Sequence, residues 1–220
     1  MTAGLRITAL QPQARDPERL SLFINGQFLM GINALLALQM DLRVGMELTP
    51  EQVEQLRQEE VLQRAVAQAL NYLSFRPRSR EEVKRYLHRK QTSPELIDHV
   101  LERLTRLDLI NDQAFAEFWI ESRIRFSPKG AQALKHELRQ KGITGDVVAE
   151  TVTGEQDEEL ARQAASKKAR VLMEQPDIDF KTFQRRLGGF LQRRGFGYDV
   201  VSRIVREMWR DQRPFAPPPE

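Results

Sequence analysis

A degenerate segment of about 51 to 53 residues recurs three times, and this recurrence limits the fold more tightly than any single motif. Lys84-Arg85-Tyr86-Leu87-His88-Arg89-Lys90-Gln91-Thr92 aligns with Lys135-His136-Glu137-Leu138-Arg139-Gln140-Lys141-Gly142-Ile143. Leu191-Gln192-Arg193-Arg194-Gly195-Phe196 repeats the second half of the pattern. Each copy continues through a turn to an acidic residue and an apolar pair: Glu95-Leu96-Ile97, Asp146-Val147-Val148, Asp199-Val200-Val201. A unit this small cannot bury its apolar face alone, so the copies are expected to pack on one another or on a partner, in an extended array.

Aligning Phe75-Arg76-Pro77-Arg78-Ser79 with Phe126-Ser127-Pro128-Lys129-Gly130 defines the unit as helix, Pro-containing turn, helix, Gly or Ser turn, helix. Leu96, Ile97, Val100, Leu101 and Leu104 recur at helical spacing, as do Val200, Val201, Ile204, Val205, Met208 and Trp209, which marks them as core. Leu87, Leu138 and Leu191 share one position and are expected on the buried face of the second helix. Gly142 and Gly195 sit where a helix ends in a left-handed residue. The third copy has a longer first helix, Leu160 to Met173, and an added connection, Glu174 to Asp177.

The first 48 residues belong to a different class. Arg19 to Ile24 and Gln27 to Ile32 flank Asn25-Gly26, the preferred type I′ pair, and so predict a β-hairpin. Ile7 to Leu10 is expected as a third strand, Ala34 to Met40 as a short helix, and Leu42 to Leu48 as an extended piece turning at Gly45. Thr49-Pro50-Glu51-Gln52 is a capping box with proline at the first helical position, opening a helix that runs toward Phe75 with a break near Glu59. The expected class is therefore mainly α, three tandem three-helix repeats preceded by a small β-hairpin-containing cap. The boundaries are 1–48 for the cap, 49–112, 113–157 and 158–212 for the repeats, and 213–220 for a disordered Pro-rich tail.

The net charge of +3 conceals an uneven distribution. Residues 1–60 carry 5 Lys and Arg against 8 Asp and Glu, whereas 158–220 carry 13 against 9. Between Arg76 and Lys90, 7 basic residues face 2 acidic ones, an excess suited to phosphates or an acidic protein surface. The candidate partner-binding residues are Arg76, Arg78, Arg80, Lys84, Arg85 and Arg89 in the first repeat, expected to be largely exposed. Lys129 and Lys135 in the second and Arg185, Arg186, Arg193 and Arg194 in the third complete the set.

Catalysis finds no support. Cysteine is absent, which excludes disulfides, thiolate metal sites and thiol nucleophiles. His88, His99 and His136 fall singly, without metal-ligand spacing, and no phosphate loop occurs, so no cofactor is expected. Arg194-Gly195-Phe196-Gly197-Tyr198 superficially matches an aromatic RNA-binding strand, but the repeat alignment puts Gly195 at a helix end and Phe196 at the position of Ile143, so the ring is expected in the core. No run of 18 apolar residues exists, and residues 1–10 lack the apolar stretch of a signal peptide, so a cytoplasmic protein is expected.

Three segments together resemble the RecX regulatory family of bacterial recombination: Phe75 to Val83, Leu107 to Arg123, and Leu134 to Ile143. The resemblance spans roughly residues 60–210, and the amino-terminal region is similar to the extension of longer members. Gln91-Thr92 departs from the glycine expected after that helix. The resemblance implies a non-enzymatic, monomeric modulator of the RecA recombinase. It would lodge in the groove of the RecA filament on single-stranded DNA and suppress filament growth, ATP hydrolysis and strand exchange, with single- or double-stranded DNA as a further partner. The alternatives are a stand-alone basic helical DNA-binding protein and a structural adaptor.

Overall fold

Asn25 and Gly26 adopt positive φ, 51° and 81°, and this pair turns β2 (Asp16–Ile24) back onto β3 (Gln27–Asn33). With β1 (Leu5–Gln13) and β4 (Glu47–Leu48) they form an antiparallel sheet in the order β3-β2-β1-β4. The computed structural model describes residues 4–14 and 16–212. The segment 213–220, expected as a disordered tail, lies outside the described residues. The chain divides into two compact units: residues up to 75 with 84–106, and residues 76–83 with those from 107 onward.

In the first unit one sheet face buries Ile7, Leu22, Ile24 and Ile32 with Leu36 and Ala37 of α1 (Ala34–Gln39) and Val53 and Leu56 of α2 (Pro50–Ser74). The Thr49–Gln52 capping box is present, with both reciprocal hydrogen bonds formed. The break expected near Glu59 does not occur, and α2 runs for 25 residues. Glu60 supplies the reason. Its carboxylate is 6% exposed, accepts from Arg19 Nη2 at 2.6 Å and from the Asn33 backbone N–H at 2.9 Å, and so ties the polar middle of α2 to strands β2 and β3. A buried charge is tolerable when it is paired and hydrogen-bonded in this way.

Helix α2 also supplies the first helix of repeat 1 and packs on α4 (Pro94–Arg106). Ile97, Val100, Leu101 and Leu104 are buried on α4, as are Ala65, Val66 and Ala69 on α2, whereas Leu96 is only half-buried. Helix α3 (Arg80–Arg89) lies between them in sequence, and its Tyr86 ring stacks on Tyr72 at 4.2 Å.

The second unit carries the other two copies. Repeat 2 is α5 (Asp112–Phe126), α6 (Ala131–Gln140) and α7 (Gly145–Thr151), closed around Phe115, Ala116, Leu134, Leu138, Ile143 and Val148. Repeat 3 is α8 (Asp157–Met173), α9 (Phe180–Arg193) and α10 (Tyr198–Gln212), closed around Ala165, Phe183, Leu187, Leu191, Ile204 and Trp209. Phe196 is 2% exposed and belongs to this core, as the repeat alignment expects.

The second helix ends identically in all three copies. Thr92, Ile143 and Phe196 donate backbone N–H groups to Leu87, Leu138 and Leu191, at 3.2, 3.1 and 3.3 Å. The preceding residues, Gln91, Gly142 and Gly195, have φ of 63°, 81° and 83°. This is the Schellman closure, and Gln91 adopts it without glycine, so the departure at that position leaves the turn intact.

Candidate functional site

The twelve basic residues selected from the sequence separate into two groups. Lys84, Arg85, Arg89, Arg185, Arg186 and Arg193 are exposed on the second helices α3 and α9. Arg89 and Arg193 hold equivalent repeat positions. The remainder are at least half-covered, including Arg76, Arg78 and Arg80, whose sequence context suggested an open face. Arg76 donates to Glu82 at 3.0 Å and to the Pro77 carbonyl at 2.8 Å. Lys129 pairs with Glu137, and Arg194 donates to the Pro128 carbonyl at 3.0 Å with its guanidinium 4.6 Å from the Phe190 ring centre. Lys135 lies near enough to Asp157 to favour that carboxylate's charged form.

Two glutamates organise the covered cations. Glu82 accepts from Arg76 and, at 2.7 Å, from Lys141. Glu137 accepts from Trp119 Nε1 at 2.9 Å, from Arg123 Nε at 2.8 Å and from Lys129. The Lys141 ammonium lies 4.7 Å from the Trp119 ring centre, joining the two groups into one network. Burial opposes the charge on each glutamate. The hydrogen bonds outweigh it and hold both carboxyls below the ordinary glutamate value.

This network lies at a junction that occurs twice. At the first, Ser79 Oγ donates to the Lys141 carbonyl at 2.7 Å, and Asp112 accepts the Arg80 backbone N–H at 2.8 Å. At the second, the Gly130 N–H donates to the Arg194 carbonyl at 2.9 Å, and Asp157 accepts the Ala131 N–H at 2.9 Å. Ser79 and Gly130 are equivalent, as are Lys141 and Arg194. The start of each second helix thus rests on the end of the next repeat's second helix and is capped by the first residue of the next repeat's first helix. Packing is close at both. A Cβ at Gly142 would sit 2.4 Å from Glu81 Cβ, and one at Gly130 2.3 Å from the Gly195 carbonyl oxygen. Burial raises the Asp157 pKa despite the Ala131 N–H and Lys135, which oppose that rise.

Sequence reasoning gave no junction role to Glu82, Trp119, Arg123, Glu137, Lys141, Asp112 or Asp157. Asp112 and Asp157, each opening a first helix, were the one visible signal. The histidines remain scattered: His88 and His99 are exposed, and the His136 ring lies 2.9 Å from the Gln140 side-chain amide. Among the described residues no cluster of three or more His, Asp or Glu side chains is placed to hold a metal ion, and no helix is long and apolar enough to cross a membrane.

Comparison with known proteins gives four family matches along the chain. The Regulatory protein RecX N-terminal domain matches residues 5–49. The first, second and third three-helix domains of RecX match 65–104, 111–152 and 155–205. The chain is 30% identical over 202 residues to Regulatory protein RecX of Bacillus subtilis strain 168, covering 92% of this chain and 76% of that protein. It is 26% identical over 203 residues to the Listeria monocytogenes EGD-e protein of the same name, covering 92% and 76%. A crystal structure of regulatory protein RecX superposes with a TM-score of 0.73 at 25% identity, covering 91% of this chain and 98% of that one. RecX from Lactobacillus salivarius superposes with a TM-score of 0.61 at 26% identity, covering 68% and 97%.

Proposed function

Because the chain belongs to the RecX family of regulatory proteins, we propose that it is a non-enzymatic regulator of homologous recombination and the SOS response. It binds the RecA filament on single-stranded DNA and inhibits filament assembly, ATP hydrolysis and strand exchange, acting as a cytoplasmic monomer. The observation that carries this reading is the twice-built junction. Each copy starts and closes its second helix on the same pattern of residues, so equivalent side chains recur from copy to copy, and a repeated surface suits a partner that is itself a polymer.

Of the exposed cations, Lys84, Arg89, Arg185 and Arg193 are assigned to such a partner, and Arg186, which donates to Gln175 at 2.7 Å, lies beside Arg185 on the same helix. Arginine and lysine at these positions meet either acidic side chains or the filament's DNA phosphates. The covered cations Arg76, Lys129 and Arg194 already have partners within the protein, so the binding surface is smaller than the basic content implies. The test is RecA-dependent ATP hydrolysis on single-stranded DNA, which the protein should suppress at concentrations near that of RecA. Unaltered hydrolysis would leave stand-alone DNA binding or an adaptor role.

A further inference from the structure

Phe75 and Phe126 hold the same place in repeats 1 and 2, each two residues before the proline that precedes the second helix. Phe75 follows the last residue of α2, and Phe126 is the last residue of α5. They lie one in each compact unit, and their exposures are 75% and 76%. Single exposed apolar side chains are ordinary on protein surfaces. Two phenylalanines bared to the same extent at the same repeat position are not accounted for in that way, because neither contributes to the core of its own repeat. In repeat 3 the residue two before the corresponding proline is Glu174, so the feature is confined to the first two copies.

The surroundings indicate what would cover them. Stacking on nucleobases requires cations nearby to meet the phosphates that accompany the bases. Beside Phe75, Arg76 is held by Glu82 and the Pro77 carbonyl. Beside Phe126, Arg123 and Lys129 are held by Glu137, and the Arg125 guanidinium lies 5.3 Å from the Phe126 ring centre. Arg76, Arg123 and Lys129 are thus already matched by acceptors and only Arg125 leans on a ring, which leaves little charge for phosphates and suits the rings better to apolar pockets on a protein. An aromatic ring with an arginine against it is also the composition that dominates protein interface energetics.

We propose that Phe75 and Phe126 are paired anchors that insert into the same apolar pocket on two different subunits of a protein polymer. That polymer is the RecA filament, so the inference rests on the function proposed above. Anchors repeated along one chain and pockets repeated along a polymer make binding bivalent, and losing both costs far more than losing one.

The experiment compares Phe75→Ala, Phe126→Ala and the double variant with the unmodified protein in three measurements: binding to RecA filaments on single-stranded DNA, binding to the same DNA without RecA, and thermal unfolding. Each single variant should weaken filament binding roughly tenfold, and the double variant by more than roughly a hundredfold. DNA binding without RecA and the melting temperature should not change. Filament binding by the double variant equal to that of the parent overturns the anchors while leaving the RecA reading standing. A parallel loss of binding to DNA alone assigns the rings to bases and also overturns the proposal. Failure of the unmodified protein to bind filaments removes both.

Discussion

Replacing Gly130 by alanine tests the junction between repeats 2 and 3 with little confounding from backbone conformation. Gly130 has φ of −76°, which any residue adopts, so no left-handed penalty applies. Its added Cβ would meet the Gly195 carbonyl oxygen at 2.3 Å, the Gly195 carbonyl carbon at 2.5 Å and the Phe196 nitrogen at 2.6 Å. All three are backbone atoms, fixed by the Schellman closure of α9, and cannot turn aside as a side chain would. Overpacking of this kind costs about 1 to 3 kcal/mol. Alanine is also a poorer N-cap than glycine by about 0.5 to 1 kcal/mol. Against these, alanine restricts the unfolded chain and contributes about 0.4 to 1 kcal/mol of stability. The net expectation is a loss of about 1 to 3 kcal/mol, or roughly 2 to 12 °C in melting temperature for a chain of this size. Gly145→Ala is the matched control. Nothing lies within 4 Å of its added Cβ, and the residue begins α7, so that substitution should be neutral or stabilising by up to about 1 kcal/mol. Thermal and urea unfolding followed by circular dichroism, with the first cooperative transition taken as the readout, compares the two. A Gly130→Ala variant as stable as Gly145→Ala would refute the close junction.

Leu138 is fully buried in repeat 2, and Leu138→Ala should lower stability by about 2 to 5 kcal/mol through lost burial and a residual cavity; urea unfolding unchanged from the parent would remove it from the core. Glu82 and Glu137 have folded-state pKa values below the ordinary 4.5, so their contribution to stability is complete above that value and disappears as pH falls through the lowered ones. Asp157 acts in the opposite sense because its value is raised. The double variant Glu82→Gln, Glu137→Gln should therefore show a shallower loss of melting temperature below about pH 4.5 than the parent, and an unchanged slope would mean the network does not set acid stability. Charge reversal at Lys84 and Arg89, both exposed on α3, should weaken filament inhibition at least several-fold while helicity and melting temperature hold; full inhibition by that variant would place the interface elsewhere.

The repeat, the hairpin and the helical core were legible because each has a short-range signature. Asn25-Gly26 dictates its own turn, and Leu87, Leu138 and Leu191 recur at fixed distances from the residues that close their helices. The Phe196 assignment followed from the same register. The polar network was not legible, because its members come from separate helices. Lys141 reaches Glu82 across 59 residues, and Trp119 reaches Glu137 across 18. For the same reason Arg76, Lys129 and Arg194 read as free basic charge although each has an internal partner. The uninterrupted course of α2 was hidden too, since a polar stretch around Glu59 reads as a break until Arg19 and Asn33 are seen to satisfy Glu60.

The most direct test of the account is RecA ATP hydrolysis on single-stranded DNA, titrated with the protein at two salt concentrations, alongside its binding to the same DNA without RecA. The account predicts suppression of hydrolysis at near-stoichiometric protein, with tight association requiring RecA. Hydrolysis unaffected by saturating protein, together with tight binding to bare DNA that falls steeply with salt, would contradict it and identify a stand-alone DNA-binding protein.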